Sequence, residues 1–145
     1  MDRQNNFPVF IAIVDDEPDL AYLFRDALSE IPGTRVFAFS DPLLALEHVR
    51  TNSENYQCVV SDYRMPSITG IELLTKIKEV NPGIKRILIS AFDLQDEVFK
   101  NSEYIDEFLP KPITMVAMIE HVKKHVKHMM KEVEEPPRIK LISLR

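Results

Sequence analysis

The chain alternates short apolar runs with longer stretches whose apolar residues recur every three or four positions. Val9–Val14 (VFIAIV) is apolar throughout and stops at Asp15-Asp16. A run that short, without polar alternation, reads as a strand covered on both faces. Pro18 stands where a first helical turn tolerates proline, and Leu20, Leu23, Phe24, Ala27, Leu28 and Ile31 follow at helical spacing. The pattern therefore predicts a helix over Pro18–Glu30 with one apolar stripe, stopped by Pro32-Gly33. Arg35–Phe39 is a second predicted strand, and Asp41-Pro42, an N-cap followed by an N1 proline, opens a helix to about Asn52. Gln57–Ser61 is a third strand ending at Asp62, Ile71–Val80 a helix stopped by Asn81-Pro82-Gly83, and Lys85–Ser90 a fourth strand. A short polar helix is predicted over Leu94–Lys100, a fifth strand over Ile105–Leu109, and a long helix from Ile113 to about Glu134.

Five strands alternating with five helices imply an α/β fold, a doubly wound parallel sheet with helices on both faces and right-handed crossovers. Ligands of such sheets bind beyond the carboxyl ends of the strands. The unusual polar residues fall at those ends: Asp15 and Asp16, Asp62, Ser90 and Lys111. Four strands thus deliver two acids, a third acid, a hydroxyl and an amine toward one rim.

Composition narrows the class. With 145 residues, 45% hydrophobic and 28% charged, the chain has the length and balance of one globular domain. Its net charge of −5 is a poor match to the phosphates of nucleic acid, so no nucleic-acid partner is expected. One Cys excludes an internal disulfide and fits a reducing cytoplasm. No apolar run approaches the roughly 18 residues of a membrane span, and MDRQNNFPVF lacks the order of a signal peptide. A cytoplasmic protein with no membrane contact is the expectation. The domain is placed at residues 7–134, after a disordered 1–6 and before a tail at 135–145.

Three carboxylates brought close repel and raise one another's pKa, a conflict that a divalent cation removes; hard oxygen donors in an open cage suit Mg²⁺. One carboxylate can then attack phosphorus to give an aspartyl phosphate, while Lys and Ser meet the other phosphoryl oxygens. The chain resembles at this point the receiver domain of two-component response regulators. The resemblance rests on Asp15-Asp16 after strand one, Asp62-Tyr63-Arg64-Met65-Pro66 with Gly70 after strand three, Ser90-Ala91 after strand four and Lys111-Pro112 after strand five, and covers roughly Phe7 to Val133. It implies a flavodoxin-like (CheY-like) five-stranded sheet of order 2-1-3-4-5. It implies Asp62 as phosphoacceptor, Asp16 and Asp62 as direct Mg²⁺ ligands, Asp15 acting largely through water, and the Arg64 backbone carbonyl completing the set. Lys111 would pair with phosphoryl oxygens across a cis bond to Pro112, Ser90 would be the hydroxyl switch, and Phe108 the aromatic switch that reshapes the face of the fourth helix, fifth strand and fifth helix. A histidine kinase or phosphotransfer protein is the implied donor.

Several features have plainer readings beside these. Asp15 and Asp16 also fit helix capping, and Phe108 a core aromatic. Arg64 and Phe92, two residues beyond Asp62 and Ser90, are bulky and would obstruct attacking water, giving slow self-dephosphorylation; Arg64 equally fits a surface role. Cys58 reads as a small buried apolar side chain. Met115, Ile119, Val122, Val126, Met129 and Val133 form an a/d stripe, from which homodimer formation through the long helix is expected. His121, His125 and His128 have metal-binding spacing, but Lys123, Lys124 and Lys127 surround them, so a solvated basic face is the expectation. The tail Pro136–Arg145 carries +3 of charge, leaving −8 for the rest, and is too short for an output module. The expectation is a stand-alone, single-domain receiver that signals by binding an unidentified protein target. Two rivals remain: a scaffold that is never phosphorylated, and a Mg²⁺-dependent phosphohydrolase of the haloacid-dehalogenase type. The second lacks its DxD motif, since Asp15-Asp16-Glu17 has the wrong spacing.

Overall fold

The computed structural model describes residues 8–91, 96 and 100–126. The strands are β1 (Val9–Val14), β2 (Thr34–Phe39), β3 (Tyr56–Asp62), β4 (Lys85–Ser90) and β5 (Glu107–Pro110), and the helices between the first four are α1 (Pro18–Leu28), α2 (Pro42–Thr51) and α3 (Gly70–Val80). A helix over 115–126, α4, follows β5. All strand pairs are parallel and the order is β2-β1-β3-β4-β5, as the resemblance implies.

Alternation along the strands sorts the core into two layers. Ile11 and Ile13 of β1, Cys58 and Val60 of β3, and Ile87 and Ile89 of β4 face α1 and α4, where Phe24, Leu28, Met118, Val122 and Val126 cover them. Ala12, Val14, Val59 and Leu88 point the other way, under Ala45, Leu46 and Val49 of α2 and Leu73, Leu74 and Ile77 of α3. Burial of a large aliphatic side chain contributes about 1.5–3 kcal/mol, which is why strands with two apolar faces lie in the middle of the sheet. Cys58 is fully buried, in line with a small apolar role.

Helix ends follow local chemistry. Asp41 Oδ1 accepts the Leu43 N–H at 2.9 Å, with Pro42 behind it. Thr69 and Glu72 form a reciprocal capping box at α3. α1 ends two residues before its expected limit, because Glu30 and Ile31 bond back to Ala27 and Leu28 in tighter turns before left-handed Gly33. β5 begins two residues later than expected. The side chain of Asp106, not its backbone, accepts the Arg86 N–H at 2.8 Å, so the ladder starts at Glu107. A 3₁₀ turn at Ser102–Tyr104 was not expected.

Of the polar helix predicted over Leu94–Lys100, Asp96 and Lys100 are described, both helical; Phe92 and the others lie outside the described residues. The 1–6 segment, for which disorder is the expectation, the tail, His128, Met129 and Val133 lie outside them too. Within α4, Val122 and Val126 are fully buried on the sheet, and Met115 and Ile119 pack against the same core. The four described residues of the a/d stripe are therefore packed on the sheet rather than turned to a second helix.

Ser67, between Asp62 and α3, has φ 76°. A side chain in that region costs about 1 kcal/mol that glycine avoids. Ser67→Gly should therefore stabilise the fold by up to about 1 kcal/mol in urea unfolding; a loss of stability would show that the Ser67 side chain contributes to the loop.

Candidate functional site

Strand register assembles the rim. Val14 is level with Ser61, Asp62 with Ile89, and Ser90 with Pro110, so Asp15, Asp62, Ser90 and Lys111 all stand at neighbouring strand ends. The carboxylates of Asp15, Asp16 and Asp62 can each place an oxygen within 4.8 Å of the others. Lys111 Nζ lies 2.9 Å from Asp62 Oδ1, and its backbone N–H donates to the Ser90 carbonyl at 2.8 Å. The Lys111–Pro112 bond is cis.

Burial differs sharply within this set. Asp15 is 5% and Asp62 6% exposed, whereas Asp16 is open to solvent and the Lys111 side chain 44% exposed. Asp15 Oδ1 accepts the Glu17 N–H at 2.9 Å. The Asp15 carboxyl is pushed up to about 6: burial contributes most, the Glu17 N–H opposes it, Asp62 and Asp16 push further up and Lys111 pulls down. Ser90 is 1% exposed, and its hydroxyl has no hydrogen-bond partner among the described residues. A buried hydroxyl without a partner is costly, and its place beside Asp62 makes it available to a ligand oxygen.

Gly70 opens α3 directly beneath Asp62. A Cβ there would collide with the Asp62 carbonyl oxygen and lie 2.8 Å from Leu88 Cδ1, and the Gly70 N–H donates to the Tyr63 carbonyl at 2.8 Å. Only a residue without Cβ lets helix and strand approach this closely.

The rim opens on the α1 side into an apolar cleft of about 470 Å³ between Asp15, Leu20, Phe24, Ile89, Lys111 and Ile113. Sequence reasoning missed it; Leu20 and Phe24 were read only as part of a helical stripe. Phe108 is half-buried against the opposite core layer. Arg64 is exposed, its guanidinium 5.9 Å from the Tyr63 ring centroid.

An acid whose folded pKa exceeds its unfolded value supports the fold below the unfolded value and loses that contribution as pH rises through the folded one. For Asp15 the window runs from 3.8 to about 6. Metal-free Asp15→Asn should thus be more stable than the parent by about 1–3 kcal/mol at neutral pH and above, the gain vanishing near the lower limit. Urea unfolding at both ends of the window checks this, and an equal gain at both ends would remove the assignment.

A doubly wound sheet with three acids, a lysine and a buried serine on its carboxyl rim defines a class, and the comparisons name it. A profile of the response regulator receiver domain matches residues 11–123, and the chain belongs to that family. It is 28% identical over 120 residues to the probable transcriptional regulatory protein TcrX of Mycobacterium tuberculosis, covering 82% of this chain and 50% of TcrX. It is 30% identical over 117 residues to the transcriptional regulatory protein GlrR of Escherichia coli, covering 79% of this chain and 26% of GlrR. Among solved structures, a CheY-like receiver domain protein from Methanospirillum hungatei superposes with a TM-score of 0.73 at 25% identity, covering 86% of this chain and 98% of that one. The chain spans half or about a quarter of the length of these curated relatives. Receiver domains are phosphoacceptor signalling modules of two-component systems that interact with histidine kinases or phosphotransfer proteins, and Mg²⁺ is typical of the family. Among the described residues, no helix is long and apolar enough to cross a membrane.

Proposed function

We propose that this chain accepts a phosphoryl group on Asp62 from a histidine kinase or phosphotransfer protein and changes its binding surface in response. The observation that carries the reading is the setting of one buried carboxylate: Asp62 lies 2.9 Å from the Lys111 ammonium and shares a 4.8 Å cluster with two further acids. A free Asp62 oxygen attacks phosphorus, the P–N bond of a phosphohistidine breaks, and the imidazole leaves with the electron pair. Lys111 neutralises charge on the phosphoryl oxygens, and the Ser90 hydroxyl, without a partner among the described residues, supplies a hydrogen bond to one of them.

The donors fit Mg²⁺, being hard oxygens in an open, over-acidic cluster of Asp15, Asp16 and Asp62; the Arg64 backbone carbonyl is the proposed further donor. Bound there, Mg²⁺ would offset the mutual repulsion of the acids and the charge on the transferring group. Water attack at phosphorus reverses the modification, releasing phosphate and restoring the carboxylate. A bulky Arg64, two residues after Asp62, supports slow loss. Ser90 and Phe108 are the proposed switch: the hydroxyl draws toward the phosphoryl group and the half-buried ring follows it inward.

Intact-protein mass spectrometry with acetyl phosphate and Mg²⁺ should show the gain of one phosphoryl group, abolished in Asp62→Asn. No gain in the parent would leave the scaffold reading standing. Steady turnover of a phosphate ester would favour the phosphohydrolase.

A further inference from the structure

The basic face expected on the last helix is in part turned inward. Glu107, the half-buried first residue of edge strand β5, meets His121 Nδ1 through Oε2 and His125 Nε2 through Oε1, the latter at 2.7 Å. Lys124 Nζ stands 3.7 Å from Oε2 with most of its side chain in water. Burial alone would raise the Glu107 carboxyl; hydrogen bonds from His125 and His121, with the nearby positive charges, outweigh it and hold the group below its ordinary value. No part of this cluster is needed for chemistry at Asp62.

We propose that Glu107, His121 and His125 form a second cation site, one for a divalent transition metal of the zinc class. Two imidazoles and one carboxylate are the ligand set of open zinc centres, and histidines one helical turn apart project from the same face. Imidazole nitrogen favours Zn²⁺, Co²⁺, Ni²⁺ or Cu²⁺ over Mg²⁺, so the site is chemically distinct from the all-oxygen cluster at Asp62. In the metal-free chain each imidazole takes its own oxygen of the carboxylate. The ion replaces those two hydrogen bonds with bonds to one centre, and side-chain rotation closes the ligands around it. Among the described residues only the acidic cluster already stands within 4.8 Å, so this site closes on binding. Lys124 swings into solvent as it does. An ion here ties β5 to α4, on the strand that leads into Lys111.

The test is calorimetric titration of the tag-free chain with Zn²⁺, in an Asp16→Ala/Asp62→Ala background that removes the acidic cluster. Visible absorption of the Co²⁺ form is the second readout. One equivalent should bind. His121→Ala and His125→Ala should each weaken it by more than about tenfold and abolish the nitrogen-ligand Co²⁺ bands, with Glu107→Gln behaving alike and His128→Ala like the parent. Circular dichroism verifies folding, and if Glu107→Gln unfolds, the two histidine variants decide. Absence of binding in that background, affinity unchanged by both histidine substitutions, or loss only in His128→Ala overturns the proposal.

Discussion

Gly70→Ala should lower stability by about 3 kcal/mol and slow the proposed phosphorylation of Asp62 by about 100-fold. The added Cβ meets the Asp62 carbonyl oxygen, which is backbone and cannot rotate away, and the Asp62 carbonyl carbon at 3.0 Å. The strand end carrying the acceptor must therefore shift. Lys111 Nζ holds one acceptor oxygen at 2.9 Å, so a displacement of about 1 Å breaks the alignment on which transfer depends. Gly83→Ala is the control, since a Cβ there meets only Asn81 Oδ1 at 3.2 Å. Urea midpoints and the rate of acetyl-phosphate labelling check both. Parent-like values for Gly70→Ala would mean that the α3 entry does not set the position of Asp62.

Arg86→Met should cost about 3–5 kcal/mol while leaving acceptor chemistry intact in the folded fraction. Arg86 is the second residue of β4, at the end of the sheet away from the rim, and is 5% exposed. Its Nε donates to the Tyr104 carbonyl at 2.8 Å and its Nη1 to the Ile84 carbonyl at 2.7 Å and the Pro82 carbonyl at 3.2 Å. Its Nη2 lies 3.5 Å from Asp106 Oδ2. Methionine fills the volume but takes the guanidinium from three carbonyls and from Asp106, whose carboxylate retains the backbone N–H of residue 86. Arg86→Lys should rescue little, because one ammonium cannot reproduce the planar fork. Equilibrium unfolding, with labelling measured below the transition, separates the two effects; a loss under about 1 kcal/mol would show that water replaces the guanidinium freely.

Much of this was legible beforehand because it is local. Apolar runs of six residues can only be strands covered twice, and proline after Asp41 or before Asp19 marks a helix entry without reference to anything distant. The Thr69–Glu72 capping box could have been read from its spacing and was not. Other features were beyond reach because they join distant residues. Nothing in the sequence around Arg86 marks the carbonyl of Tyr104 and the carboxylate of Asp106 as its partners. Glu107 lies 14 and 18 residues before the histidines it meets, so their stripe looked merely solvated. The apolar cleft beside Asp15 belongs to α1 and the segment after β5 together, and to neither alone.

The amino-acid pattern by itself determined the strand–helix alternation, hence the parallel sheet, and it placed an acid, a hydroxyl or an amine at the end of each rim strand. That information is periodic and short-range, carried by side-chain burial and turn chemistry. Tertiary structure alone decided distances and environments: which carboxylate lies against Lys111, which of three acids is pushed up to about 6, that the Ser90 hydroxyl has no partner among the described residues, and that the four described residues of the last helix's stripe cover the sheet. Register between neighbouring strands sets those quantities, and register depends on how all the layers pack at once.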